Sequence, residues 1–397
     1  MSEIKSVAAA SMALRQQGQP FLLATVVAVH GSSYRRPGAR LVIADDRRVA
    51  GSVSGGCLEQ ELIRRGWWHT RETGAALLSF DSRLGAELDG GPQARTGCGG
   101  VVEILVEQVR PDAAANPLEL VEAAVNGEAE IDMLTVYRST RPGLPVGARR
   151  VIPARGAGQP AAVRAATPGP MATLVERARF ALAVAGDRTF AHVELPDGSV
   201  QALAERLRPP PHLFVFGGGP DAAPLVAMTA GLGWSCTVWD PQARFSSRTR
   251  FAGADQICSG DLGAVRTRVD ASARPLAVVM AHDFDHDARA LAMLLPSRAL
   301  YIGVLGPRRR TERLLAAVPP SPARDERARR LHAPVGLPIG AETADEIALA
   351  IVAEAQAVLA GAALARARAP GRPRSRHAPP GCKAADARSP QLLEATP

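Results

Sequence analysis

The chain has 397 residues, 46% of them apolar, and a formal charge of +8. It is too long for one modest core and too apolar for a disordered protein, so two or three globular domains are expected. The charge does not mark a nucleic-acid surface: seven basic and two acidic residues between Arg366 and Pro397 leave +3 for the first 365 residues.

Residues 7–17 have the pattern of a short helix. Phe21 to Val29 is an unbroken small-apolar run, predicted as a strand. The turn Gly31-Ser32-Ser33-Tyr34-Arg35-Arg36-Pro37-Gly38 follows. A second strand runs from Arg40 to Ala44, and a third starts at Val49 and breaks at Gly55-Gly56. Cys57 to Arg65 is predicted helical, and Val101 to Val106 is a strand directly after a second glycine turn. Leu118 to Val125 reads as a helix and Asp132 to Tyr137 as a strand. Residues 141–170 are weakly patterned hairpins and loops. Pro209-Pro210-Pro211 is a stiff linker and the expected boundary. Beyond it, His212–Phe216, Ser235–Trp239, Pro275–Met280 and Ala299–Leu305 read as buried strands alternating with helical stretches. Thr343 to Ala360 forms a long helix with a capping box at Thr343 and Glu346. This alternation predicts a Rossmann-like parallel sheet over 209–361, after an α/β domain over 1–208 whose part from 110 to 208 is less defined. The tail, 362–397, is rich in Pro, Arg and Ala without apolar period and is predicted disordered.

No basic-then-apolar leader and no bilayer-length apolar run is present, so a cytoplasmic location is expected, without membrane span or specific nucleic-acid partner. The five cysteines are odd in number and lack a C-x-x-C pair. That argues against a zinc knuckle or disulfide framework and leaves reduced thiols.

Two of these thiols stand in glycine turns: Cys57 in Gly51-Ser52-Val53-Ser54-Gly55-Gly56-Cys57, and Cys98 in Thr96-Gly97-Cys98-Gly99-Gly100. Glycine turns bring peptide N–H groups close to a ligand, and a helix start at Cys57 favours a thiolate. Arg35, Arg36 and Arg40 could add positive charge. A soft thiolate suits molybdenum or copper, and Cys98 is the candidate metal ligand. The alternative is a small buried hydrophobe at a strand–helix join. Cys236 and Cys258 lie in or beside core strands and read as structural.

In the second half, Gly217-x-Gly219-x-x-Ala222 between a strand and a helix fits an alanine-ended dinucleotide fingerprint, with Asp240 at the end of the next strand. His282, after the third strand, is a candidate hydrogen bonder to ligand or sheet edge. Gly306 with Arg308 or Arg309 forms a candidate phosphate grip.

Taken together these segments resemble the XdhC/CoxI family of accessory factors for xanthine dehydrogenase and related molybdenum hydroxylases. The likeness rests on Gly31-Ser32-Ser33, Arg36-Pro37-Gly38, Gly51 to Cys57 with Glu59, and Gly97-Cys98-Gly99-Gly100. It continues with Phe216 to Gly219, Asp240 with Arg244, His282-Asp283, Tyr301 to Gly306 with Arg308-Arg309, and Pro334 to Gly340 before Glu346. Ala281 and Pro307 depart from it, replacing hydroxyl residues expected there. The resemblance implies a molybdenum-cofactor chaperone, often dimeric, that binds molybdopterin or its nucleotide form. It would protect the cofactor, cooperate with a cysteine desulfurase in its sulfuration and insert it into an apo xanthine dehydrogenase-type hydroxylase. Cys57 and Cys98 would then do the chemistry. Ser32, Arg36, Ser54, Gly55, Gly56, Gly99, Gly217, Gly219, Asp240, His282, Gly306 and Arg308 would contact the cofactor. A maturation factor is favoured over a turnover enzyme. The alternatives are an NAD(P)-dependent oxidoreductase built on the Rossmann-like domain and a scaffold that only bridges partner proteins.

Overall fold

Before Pro209 the chain builds two antiparallel sheets, and after Pro211 a single parallel one. A computed structural model describes residues 3–81, 99–111, 116–127, 130–153, 169–185, 190–241, 249–318 and 330–361, all within one compact unit, Met1–Ala363. The tail from residue 362 lies outside the described residues.

Helix α1 (Glu3–Gln16) leads into β1 (Phe21–Gly31), the centre of the first sheet. With β2 (Arg40–Ala44), β3 (Arg47–Gly51), β4 (Ala75–Asp81) and β5 (Gly100–Val109), the order is β3-β2-β1-β5-β4. The first eight residues of β1 are buried on both faces, which is why its sequence runs apolar instead of alternating. Helix α2 (Cys57–His69) covers one face, seating Leu58 and Leu62 among Leu22, Val26 and Ile104. The other face is covered by α1 and α3 (Glu119–Asn126).

The segment the sequence leaves vague is a second sheet. It contains β6 (Ile131–Ser139), β7 (Arg149–Val151), β8 (Phe190–Glu194) and β9 (Val200–Leu207) in the order β7-β6-β9-β8. Helix α4 (Pro170–Ala185) lies on it through Leu174, Ala178 and Leu182, spaced at four residues. Its helical period is blurred in sequence because Phe180 and Val184 are exposed on the opposite side. The two sheets meet through Val27 and Leu105 against Tyr137 and Leu203. Three ion pairs join them: Arg40–Glu205 at 2.7 Å, Arg138–Glu103 at 2.6 Å and Arg149–Glu107 at 2.6 Å.

The third sheet holds β10 (His212–Phe216), β11 (Ser235–Trp239), β12 (Gln256–Cys258), β13 (Pro275–Val279), β14 (Tyr301–Val304) and β15 (Leu331–His332). Its order, β12-β11-β10-β13-β14-β15, is the 3-2-1-4-5-6 arrangement of dinucleotide-binding sheets. Helices α5 (Ala222–Gly231) and α9 (Ala344–Leu359) pack on one face. On the other lie α6 (Leu262–Ala271), α7 (Phe284–Leu294) and α8 (Arg308–Ala317). The capping box on α9 forms as its sequence predicts: Thr343 Oγ1 accepts from the Glu346 amide at 3.3 Å, and Glu346 Oε2 accepts from the Thr343 amide at 3.0 Å. Beneath β14, Tyr301 and the Gly336 amide donate to buried Glu354 Oε2 at 2.7 and 2.9 Å, which ties the segment after β15 to α9.

Among the described residues no helix is long and apolar enough to cross a membrane.

Candidate functional site

Strand β3 runs parallel to β1 and ends level with Ala24, since Gly51 pairs with Leu41 and Leu41 with Ala24. The chain then turns at Gly55-Gly56, and α2 runs back until Gly66 rests on the Leu22 side chain. Cys57, the first residue of α2, lies nine residues before Gly66, about 13 Å of helix, which brings it level with the middle of β1. The turn before it presents inward-facing amides, as its sequence suggests, but they hold an anion belonging to the chain itself. Glu59 Oε1 accepts from the amides of Val53 (3.1 Å) and Ser54 (2.8 Å) and from Ser52 Oγ (2.8 Å). Oε2 accepts from Ser54 Oγ and, at 3.0 Å, from the Gly56 amide. Burial alone would raise the Glu59 pKa, but the Ser54 and Ser52 hydroxyls and the Ser54 amide outweigh it and hold the carboxyl below its ordinary value. Ser54 thus positions the loop, whereas Gly55 and Gly56 remain exposed at its tip.

The second thiol, Cys98, lies outside the described residues, but the turn's exit is defined. Gly100 pairs with Gly31, and a Cβ on Gly100 would come within 2.3 Å of the Ser32 carbonyl oxygen, so glycine is required there. Exposed Ser32 and Gly99 form the same rim. The exit of the Cys98 turn thus marks the late end of β1, beyond the level at which α2 starts.

On the sheet face opposite α2, that end opens on a cavity of about 860 Å³ lined by His30, Tyr137, Arg177, Phe180, His192 and Gln201, among others. The His192 ring stands edge-on to Tyr137, with ring centroids 6.3 Å apart. Burial first, and then the Glu103 charge, pushes the Tyr137 hydroxyl up to about 12. Burial and then nearby His30 lower the His192 pKa, favouring the neutral imidazole. The arginines of the preceding turn lie elsewhere. Arg35 is bound to Glu3, Arg40 is buried against Glu205, and Arg36 is exposed beside another cavity.

The crevice of the parallel sheet is a separate region. Gly217 has φ +133°, and a Cβ there would lie 2.6 Å from the Met280 carbonyl oxygen, so the loop needs glycine. Asp240 is buried at the end of β11 against the Gly218 backbone. His282 follows β13 in a left-handed conformation, φ +59°, and its Nε2 meets Asp221 Oδ2 at 2.6 Å across the adjacent ends of β10 and β13. Asp283 instead caps α7 through the His286 amide at 2.9 Å. Arg308 points outward beside Glu312, and Arg309 is exposed. It is Arg310 that turns in, reaching buried Asp287 at 2.7 Å. Gly306, with φ +115°, makes the turn ahead of them. Cys236 is fully buried, its thiol pushed up to about 12 by burial and then by Asp255, and burial also raises half-buried Cys258. Both are unsuited to thiolate chemistry. Among the described residues, no group of three or more His, Cys, Asp or Glu side chains is arranged to hold a metal ion.

Residues 14–81 match the XdhC and CoxI family, and residues 213–355 match the XdhC Rossmann domain. The chain belongs to the XdhC/CoxI family. With that membership comes a general role as a molybdenum-cofactor-related accessory protein. The chain is 28% identical over 350 residues to a probable xanthine dehydrogenase subunit of Bacillus subtilis (strain 168), a match covering 86% of this chain and 94% of that protein. It is 30% identical over 145 residues to the uncharacterized protein YqeB of Escherichia coli (strain K12), covering 36% of this chain and 26% of YqeB. A crystal structure described as a xanthine dehydrogenase from Bacillus halodurans shares the fold with a TM-score of 0.62 and 25% identity, covering 93% of this chain and 98% of that one.

The two XdhC/CoxI matches contain the Cys57–Glu59 loop and the parallel-sheet crevice, but residues 82–212 lie in neither. That stretch supplies Tyr137, Arg177, Phe180 and His192 to the cavity beside the Gly31–Gly100 rim. Sequence reasoning missed these residues. They come from three separate elements, and no local spacing links them.

Proposed function

We propose that this XdhC/CoxI protein is a molybdenum-cofactor chaperone. It binds the molybdopterin cofactor as cargo and shields it during sulfuration by a cysteine desulfurase. It then inserts the cofactor into an apo xanthine dehydrogenase-type hydroxylase, acting as a dimer in the cytoplasm. The observation that carries this reading is the His30–Tyr137–His192 cavity beside the Gly31–Gly100 pair, at the exit of the turn that holds Cys98 in sequence. The cavity, at about 860 Å³, falls within the usual range for small-ligand sites. Its lining suits a pterin: aromatic surface from Phe180 and Tyr137, imidazoles from His30 and His192, and a guanidinium from Arg177 for the phosphate. Cys98, two residues before Gly100 in sequence, is the candidate contact for the metal end, and Cys57 starts the helix on the other sheet face.

An NAD(P)-dependent oxidoreductase is the second reading, favoured by the strand order and by Asp240. Against it, the Asp221 carboxylate, bonded to His282, stands at the opening of α5 where a pyrophosphate would need the helix amides.

Anaerobic purification with molybdenum and pterin analysis tests the proposal. Wild type should retain both, and Cys98→Ala or Cys57→Ala should lower retention or delivery to apo-hydroxylase. Equal occupancy and equal delivery in all three proteins would remove the thiols from the mechanism.

A further inference from the structure

A second cavity, of about 700 Å³, lies where the β9 end and the Arg36-Pro37-Gly38 turn meet the C-terminal end of α9. Five arginines line it: Arg36, Arg40, Arg206, Arg208 and Arg274. Three are neutralised. Arg40 pairs with Glu205 at 2.7 Å, Arg206 with Asp132 at 2.9 Å, and Arg208 with Glu130 at 3.1 Å. Arg36 and Arg274 form no ion pair among the described residues, and Arg274 donates only a long bond, 3.5 Å, to the Pro209 carbonyl. Burial and then the charge of Arg208 work against the Arg274 cation, offset in part by Glu130, the carboxylate that already pairs with Arg208. A Cβ on Gly38 would meet Glu205 Oε1 at 2.6 Å, so the Arg36-Pro37-Gly38 turn packs closely against Glu205, and exposed Arg36 lines the cavity beside it.

Two guanidinium groups outside any ion pair among the described residues, crowded by three more, set five arginines against three carboxylates, an imbalance that an anion would relieve. The carbonyl end of α9 offsets part of it without offering either arginine a carboxylate. The planar donor forks suit phosphate oxygens, and Phe190 and Leu359 supply an apolar wall for an organic body. The space is a cleft for a small molecule and too confined for a nucleic-acid strand.

We propose that this cleft is a binding site for a small organic phosphate or diphosphate, held by Arg274 and Arg36 and distinct from the His30–Tyr137–His192 cavity and the parallel-sheet crevice. It stands independently of the chaperone reading, because its test uses no molybdenum or pterin.

Titration of the full chain with inorganic pyrophosphate, followed by calorimetry at low salt, tests it. Arg274→Gln and Arg36→Gln should each weaken binding by about tenfold or more, the scale of one lost charge-assisted contact. Arg71→Gln, exposed in the turn after α2 and outside the cleft, should leave it unchanged. Arg36 is exposed, so its variant remains informative if Arg274→Gln does not fold. Succinate should bind more weakly than pyrophosphate. The proposal is overturned if pyrophosphate does not bind, if Arg36→Gln and Arg274→Gln bind it as wild type does, if Arg71→Gln loses it equally, or if succinate binds more tightly.

Discussion

Glu59→Gln probes the central structural finding, that the loop before Cys57 is folded around an internal carboxylate. The substitution keeps an oxygen where Oε1 accepts from Ser52 Oγ and the Val53 and Ser54 amides. It replaces Oε2 with an N–H2 group facing the Gly56 amide, so donor meets donor. The Gly56 bond is lost, the Ser54 hydroxyl must turn to accept instead of donate, and the bonds at Oε1 become neutral, a cost of about 1–3 kcal/mol. If that cost falls on opening of the loop, the Val53 and Ser54 amides should exchange with solvent about 5 to 150 times faster. Hydrogen exchange read by mass spectrometry over residues 50–60 measures this directly. The pH dependence supplies a second check. The wild-type carboxyl is held below 4.5, so its contribution is complete above that pH and disappears as the pH falls through its folded value. Glutamine does not titrate, so the gap between the two proteins must close on acidification. Equal exchange at neutral pH, or a gap that persists in acid, would refute the account.

Two further outcomes follow from buried charge. Both partners of Arg40–Glu205 are 7% exposed, so Arg40→Met alone strands a carboxylate and should cost about 3–5 kcal/mol in urea unfolding. Arg40→Met with Glu205→Leu should recover most of that loss, and a double variant no better than the single would show that the pair is not what joins the sheets. Burial lowers the His212 pKa from 6.5 to about 4, so the fold keeps a neutral imidazole against Thr237 Oγ1 at 2.8 Å. A histidine depressed in this way stabilises fully above pH 6.5 and loses that contribution as the pH falls toward 4. His212→Gln should flatten the unfolding midpoint across that window, by up to about 1.4 kcal/mol per pH unit, and parallel midpoint curves for variant and wild type would count against it.

Four of the six parallel strands were legible in sequence to within about two residues, whereas the short edge strands β12 and β15 were not foreseen. Strands β10 and β11 match their predicted limits, and the Thr343–Glu346 cap forms as read. Buried parallel strands need continuous apolar runs, and caps need particular side chains at fixed offsets, so both are local signals. The start of α2 at Cys57 was equally visible from the glycines before it. By contrast, β4, α4, β8 and β9 were not foreseen, since their residues answer to partners far away in the chain.

By itself the sequence determined the element types, the two glycine turns that carry Cys57 and Cys98, and the family. Only the tertiary structure decided where the charges go. It gave the loop amides to Glu59, Arg40 to Glu205 and Arg310 to Asp287, and it left Arg36 and Arg274 outside any ion pair among the described residues. Backbone conformation is chosen by neighbours along the chain, whereas an ionised side chain is settled by whatever burial and folding bring within a few ångströms of it.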